Sequence, residues 1–266
     1  MTGAIAETFR KLRDRGEKAF IPFITAGDPD LDTTVSLVPE LARAGSDIVE
    51  LGVPFSDPVA DGPMIQRSSE RALRRGCRLA DIFQALREIR KRSNIPIVLF
   101  SYYNPLYQYG IENLARDAAS AGVDGVLATD LTPEEAAVYR EALGAKGLDT
   151  IFLAAPTSTE ARLARIAACT RGFVYLVSRT GVTGVQERLS ESVGPTLNLL
   201  RRHTSLPVAV GFGISRPEHV KAVWEIAEGA VVGSAIVGLI EESDSRETAL
   251  ARVREFCSWL TGREKR

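Results

Sequence analysis

The sequence predicts an α/β fold: a single-domain (β/α)8 TIM barrel spanning residues 1–266. Three observations point there. Eight short apolar runs recur along the chain, segments with helical periodicity separate them, and the runs are apolar at nearly every position. Strands that do not alternate apolar with polar are covered on both faces, which is the condition of a parallel sheet wrapped by helices. The 266-residue length lies near the ~250 typical of such a barrel, and no stretch rich in Pro, Ser or Gly divides the chain. An open doubly wound sheet is the alternative that the same alternation allows.

Ahead of the first strand, Ile5, Phe9 and Leu12 form an apolar stripe suited to a short helix covering one end of the barrel. The strand runs follow: AFIPFIT from Ala19, DIVELGV from Asp47, IPIVLFSYY from Ile95, DGVLATD from Asp124, DTIFLAA from Asp149, GFVYLVS from Gly172, LPVAVGFG from Leu206 and GAVVGSAI from Gly229. Helical patterns between them include Leu31 to Ala44, Leu79 to Arg92, Ile111 to Ala121 and Pro133 to Ala145. Two insertions depart from the simple alternation. One is a helix from Pro63 to about Arg74 after strand 2; the other is a long glycine-containing loop from Ser178 to about Gly194 after strand 6. Loops of that length in compact domains are usually functional. After strand 8, AIVGLI reads as a short extra helix.

Composition narrows the function. A chain 45% hydrophobic and 25% charged has the balance of a globular protein, and a net charge of −1 gives no overall field for nucleic acid or an anionic membrane. The basic runs around Arg71 to Arg78 and Arg87 to Arg92 fall on helical segments and suit solvated faces. Cys77, Cys169 and Cys257 are scattered, so neither a disulfide framework nor a zinc site is expected. The charged N-terminus has no apolar signal core and no run approaches a membrane span, from which a cytoplasmic protein is expected.

In a barrel enzyme the reacting groups stand at the C-terminal ends of strands and in the loops that follow. Glu50 lies inside the second strand, where a carboxylate is expensive unless it meets a partner or a substrate. Period-2 alternation places it on the face of Ile48 and Gly52, and the small Gly52 leaves room for an approaching group. Such a carboxyl, partly desolvated, can give and take a proton near neutral pH; a buried structural ion pair is the other reading. Asp61 precedes Gly62 and Pro63, so it either joins the chemistry or favours a helix start. Asp57, before Pro58, reads as a turn residue. Three glycine clusters follow late strands: Gly181 to Gly184, Gly211 to Gly213, and Gly233 with Ser234. Backbone N–H groups there, with the short helix after Ser234, suit a phosphate. No lysine or histidine falls at a strand top, so neither a Schiff base nor a metal is expected. The Gly211–Gly213 pair lacks the rest of a dinucleotide fingerprint.

FITAGDP from Phe23, ELGVPFSDPVADGPMIQ from Glu50, YLVSRTGVTG from Tyr175 and VGFGIS from Val210 resemble, in order, the signature segments of tryptophan synthase α subunits. The resemblance covers essentially the whole chain. It implies a lyase that cleaves indole-3-glycerol phosphate to indole and glyceraldehyde 3-phosphate, with Glu50 and Asp61 catalytic. It also implies phosphate contacts from Gly184, Gly213, Gly233 and Ser234, and a ring and glycerol pocket from Phe23, Phe100, Tyr102, Thr129, Ile151, Tyr175, Thr183 and Phe212. Thr183 resembles the residue that bonds Asp61 when the lid closes. Asp57, Arg179 and Gly181 resemble the lid and communicating surface toward a β subunit, expected to carry pyridoxal phosphate in an α2β2 assembly while this chain carries no cofactor. Phe100, where many relatives have Leu, and Thr132, where many have Pro, depart from the pattern. Indole-glycerol-phosphate synthase, the nearest enzymatic rival, would want a strand-top lysine. A non-catalytic phosphate-binding barrel that only activates a partner subunit is the other alternative, against which the Glu50 and Asp61 pair argues.

Overall fold

The computed structural model describes residues 3–178, 193–211 and 213–263. Nine parallel strands form one sheet: Ala19–Thr25 (β1), Val49–Gly52 (β2), Ile97–Ser101 (β3), Gly125–Ala128 (β4), Asp149–Ile151 (β5), Leu153–Ala154 (β6), Val174–Val177 (β7), Val208–Gly211 (β8) and Gly229–Val232 (β9). They pair in the order β5-β4-β3-β2-β1-β9-β8-β7-β6. The two ends of that order, β5 and β6, are separated in sequence by Phe152 alone, so the sheet returns to its own fifth run and closes into a barrel. That geometry excludes the open doubly wound sheet.

Twelve helices occur among the described residues: Ala4–Asp14 (α1), Leu31–Arg43 (α2), Pro63–Arg74 (α3), Leu79–Arg90 (α4), Tyr103–Tyr109 (α5), Ile111–Ala121 (α6), Ala137–Ala145 (α7), Glu160–Cys169 (α8), Val193–Arg201 (α9), Pro217–Ile226 (α10), Ser234–Glu241 (α11) and Arg246–Thr261 (α12). The N-terminal stripe behaves as its spacing requires: Ile5, Phe9 and Leu12 are the buried residues of α1. They pack against Ile21, Ile48, Val98, Leu127, Ile151, Phe173, Ala209 and Val231, which point inward from the strands and fill the lower barrel. β4 begins with Gly125 for a packing reason, since a Cβ there would stand 2.7 Å from Ile151 Cδ1 and 2.9 Å from Ile5 Cδ1.

The inserted helix α3 starts at Pro63, whose missing N–H costs nothing in the first turn. Two elements differ from expectation. The strand read as continuing through Tyr102 and Tyr103 stops at Ser101, and α5 follows, because the Asp130 carboxylate accepts the Tyr103 N–H at 2.6 Å and so supplies a helix-start partner from 27 residues away. The helix read from Pro133 begins at Ala137; a turn closed by the Glu135 N–H to the Thr132 carbonyl at 3.1 Å, with the Thr132 hydroxyl on the Glu135 carboxylate at 3.1 Å, occupies the intervening residues.

Candidate active site

Register sets Glu50 beside Phe23 of β1 and beside Val98 of β3, one layer above the apolar floor. Its side chain is 1% exposed, and neither carboxylate oxygen has a hydrogen-bond partner among the described residues. The buried ion-pair reading therefore has no described cation to support it. With burial as the cause, the carboxyl is held well above the usual carboxylate range, so it keeps a proton that it can donate.

Asp61 stands at the mouth, just ahead of α3, in a small cavity lined also by Phe23, Thr25, Gly52, Ile65, Ser69, Phe100, Ser101 and Tyr102. Burial pushes its carboxyl up to about 6, against the opposing hydrogen bond of the Tyr102 phenol. That phenol also accepts the Ala60 N–H at 2.9 Å, which ties the loop carrying Asp61 to the top of β3. Tyr175 sits in the field of both acids: burial first, then the charges of Glu50 and Asp61, hold its phenol well above its ordinary value. The rings of Phe23 and Phe100 meet edge-on at 5.3 Å, and Phe100 lies 6.4 Å from Tyr175, so three rings make one continuous wall.

Two inward glycines serve that wall. A Cβ on Gly52 would stand 2.5 Å from Phe23 Cζ, so the room expected above Gly52 is filled by the Phe23 ring. A Cβ on Gly211 would collide with the Tyr175 hydroxyl oxygen, which makes Gly211 a spacer for that phenol. Thr129 follows β4, its N–H on the Ser101 carbonyl at 2.8 Å and its buried hydroxyl without a partner among the described residues. Ile151 is 1% exposed and belongs to the layer beneath Glu50.

At the opposite rim Gly213 has φ 75°, a conformation that favours glycine. Gly233 caps α11, and the first helical N–H groups to bond back to it are those of Ile236 and Val237, at 2.9 and 3.0 Å. The N–H groups of Ser234 and Ala235 precede them, as orphan donors at a helix start do. Asp57 is exposed on the loop after β2 and accepts the Ser56 hydroxyl at 2.5 Å. Arg179, Gly181, Thr183, Gly184 and Phe212 lie outside the described residues.

The sequence model described as "Tryptophan synthase alpha chain" matches residues 9–263. The chain belongs to the tryptophan synthase alpha chain family. Among similar proteins, the tryptophan synthase alpha chain of Solibacter usitatus is 53% identical over 239 residues, covering 90% of each chain. That of Geobacter sulfurreducens is 53% identical over 257 residues, 97% of this chain and 96% of the relative. A solved tryptophan synthase structure from Mycobacterium tuberculosis superposes with a TM-score of 0.91 at 35% identity over 98% of each chain. One from the Pyrococcus furiosus α2β2 complex does so with 0.86 at 42% identity, over 92% of this chain and 98% of the other. The reaction of the family is a lyase step of tryptophan biosynthesis, the cleavage of indole-3-glycerol phosphate to indole and glyceraldehyde 3-phosphate.

Sequence reasoning did not single out the small polar groups around Asp61: Thr25, Ser69 and Ser101. Thr25 and Ser101 are the last residues of β1 and β3, where a hydroxyl ends the strand, whereas Ser69 lies on the buried face of α3 and had no such signal. Among the described residues no group of His, Cys, Asp and Glu is arranged to hold a metal ion, and no helix is long and apolar enough to cross a membrane.

Proposed function

We propose that Glu50 and Asp61 carry the cleavage between them. The observation behind this is an inward carboxyl buried without a described counter-ion, one layer below a second carboxyl at the mouth. The protonated Glu50 gives its proton to C3 of the indole. The ring then becomes an electron-poor indolenine, and the ionised Asp61, holding the ring N–H, stabilises the developing positive charge. As the bond from C3 to the glycerol chain breaks, its electron pair returns to the ring. The adjacent hydroxyl becomes the aldehyde of glyceraldehyde 3-phosphate, and its proton goes to Glu50, which is restored for the next turnover. The ring itself is the electron sink, so the chain acts with no cofactor of its own. Phe23, Phe100 and Tyr175 hold the ring against the wall, while Gly213, Gly233 and Ser234, with Gly184, cradle the phosphate through backbone N–H groups.

The chain works as one barrel domain in the cytoplasm with a β subunit, as the α2β2 complex of the Pyrococcus relative suggests. Exposed apolar side chains near the mouth, Val59 at 82% and Tyr107 at 61%, suit that docking beside Asp57. Indole release by the full chain, measured with and without β subunit, tests the reading. The parent should release indole and Glu50→Gln should not; a parent chain that releases none in either condition would leave the partner-activating barrel standing instead.

A further inference from the structure

Asp61 and the phosphate cradle sit at the starts of two helices, α3 and α11, that pack side by side. At one end the contacts are apolar and small. Met64 Cε stands 3.3 Å from where a Cβ on Gly238 would lie, and Ile65 and Val237 share a cluster with Phe23. Such contacts are non-directional and leave two helices free to slide by fractions of an ångström. At the other end the contacts are directional. The Arg71 guanidinium grips the Asp28 carboxylate through two bonds of 2.7 and 2.8 Å and donates a third to Glu241, the last residue of α11, at 2.5 Å. Arg67 holds the same Glu241 through two bonds of 2.8 Å.

This arrangement is poorly explained as a source of stability. Asp28 is 1% exposed, and burial raises its pKa despite Arg71 beside it. Buried pairs of this kind are often replaceable by apolar groups without loss, whereas bidentate forks add geometric specificity. Glu241 also stands at a helix C-terminus, where the dipole disfavours a carboxylate, and the cations that offset this come from α3. The network joins three things: the loop after β1, the helix that Asp61 introduces, and the helix that opens on the phosphate.

We propose that Arg71 is a positioning residue that sets the distance between Asp61 and the phosphate cradle, and so gauges the three-carbon link between ring and phosphate in the substrate. The inference rests on Asp61 acting on the indole ring, as proposed above. Displacing a reacting group by about 1 Å can lower a rate by about 10². Arg71→Met should therefore fold, lower kcat about 10- to 100-fold, and leave inhibition by inorganic phosphate unchanged, since the cradle itself is intact.

The decisive readout compares indolylalkyl phosphates with three- and four-carbon links as inhibitors. The parent should prefer the three-carbon compound. Arg71→Met should lose that preference, Arg71→Lys should recover part of it, and Glu241→Gln, which weakens one grip and leaves the buried pair, should lose it in part. If Arg71→Met does not fold, Glu241→Gln and Arg71→Lys carry the test. A parent-like preference in the folded variants overturns the proposal, even where kcat falls, because a merely structural role predicts that outcome. Asp61→Asn is measured alongside. Undiminished kcat in Asp61→Asn overturns the role of Asp61 itself, whereas its loss together with a parent-like Arg71→Met overturns the positioning role alone.

Discussion

Gly52→Ala changes one hydrogen to a methyl group next to the wall that lines the Asp61 cavity. The added Cβ would stand 2.5 Å from Phe23 Cζ and 2.8 Å from Phe23 Cε2. Ordinary carbon contacts lie at about 3.5–4.0 Å, so the ring must retreat by about 1 Å. It has little freedom to do so: Phe23 is 6% exposed, is met edge-on by Phe100, and its Cβ lies 3.5 Å from where a Cβ on Gly233 would be. Overpacking of this kind costs about 1–3 kcal/mol. At about 3 °C per kcal/mol for a chain of this size, Tm should fall by roughly 3–9 °C. Indole release should fall as well, since the displaced ring intrudes on the ring-binding side of the cavity. Thermal melts and an indole-release assay measure both. Phe23→Leu removes the atoms that clash, so Gly52→Ala in that background should cost nearly nothing, a coupling that a double-mutant cycle reads directly. A Gly52→Ala variant that keeps the parent Tm within about 1 °C and the parent KM would refute the packing argument.

Glu50→Gln should fold and lose about 10² to 10⁴ in rate, the usual contribution of a general acid–base. Its stability should also diverge from the parent with pH: a carboxyl whose folded pKa is raised contributes stability below its unfolded value that is lost as pH rises toward the folded one, so the variant gains on the parent as pH rises above the ordinary carboxylate range, and a constant Tm difference would contradict the burial of a bare carboxyl. With Asp61 ionised to hold the ring, as proposed, kcat/KM of the parent should fall as pH drops through about 6. Asp61→Asn should lack that acid limb, and a retained limb assigns it to another group. Gly233→Asp should raise KM for the phosphate substrate by about 100-fold or more by setting a carboxylate at a helix N-terminus meant for an anion. The nearest contacts of a Cβ there are an ordinary 3.5–3.6 Å, so a parent-like KM or a collapsed Tm would each count against the cradle.

The strands were legible because wrapped parallel strands leave a signature, apolar at every position, that needs no knowledge of partners. α1 and α3 were legible for local reasons too: a three-residue stripe in one case, Gly62–Pro63 in the other. Glu50 stood out because a carboxyl inside an apolar run is costly wherever the run goes. What escaped was set by distance along the chain. α5 is held at its start by Asp130, and no feature of Tyr103–Tyr109 announces that partner. Gly52 was read as open space because the ring that fills it belongs to Phe23 on the adjacent strand β1, and strand pairing is not written in the local sequence. The Asp28, Arg71 and Glu241 network joins residues 43 and 170 positions apart, and each of them alone reads as an ordinary surface charge.

The floor beneath Glu50 has a consequence for traffic. Side chains from α1 and the lower strand layer occupy the barrel axis, so among the described residues the space above Glu50 is closed at that end and opens at the mouth. The two products cannot part company through opposite ends. In the site proposed for this reaction, a phosphate held at the rim would set the polar fragment between the deeper indole and the exit. On that reading the order of departure is set at the rim, and the apolar product would be kept from solvent for as long as the phosphorylated one remained in the doorway.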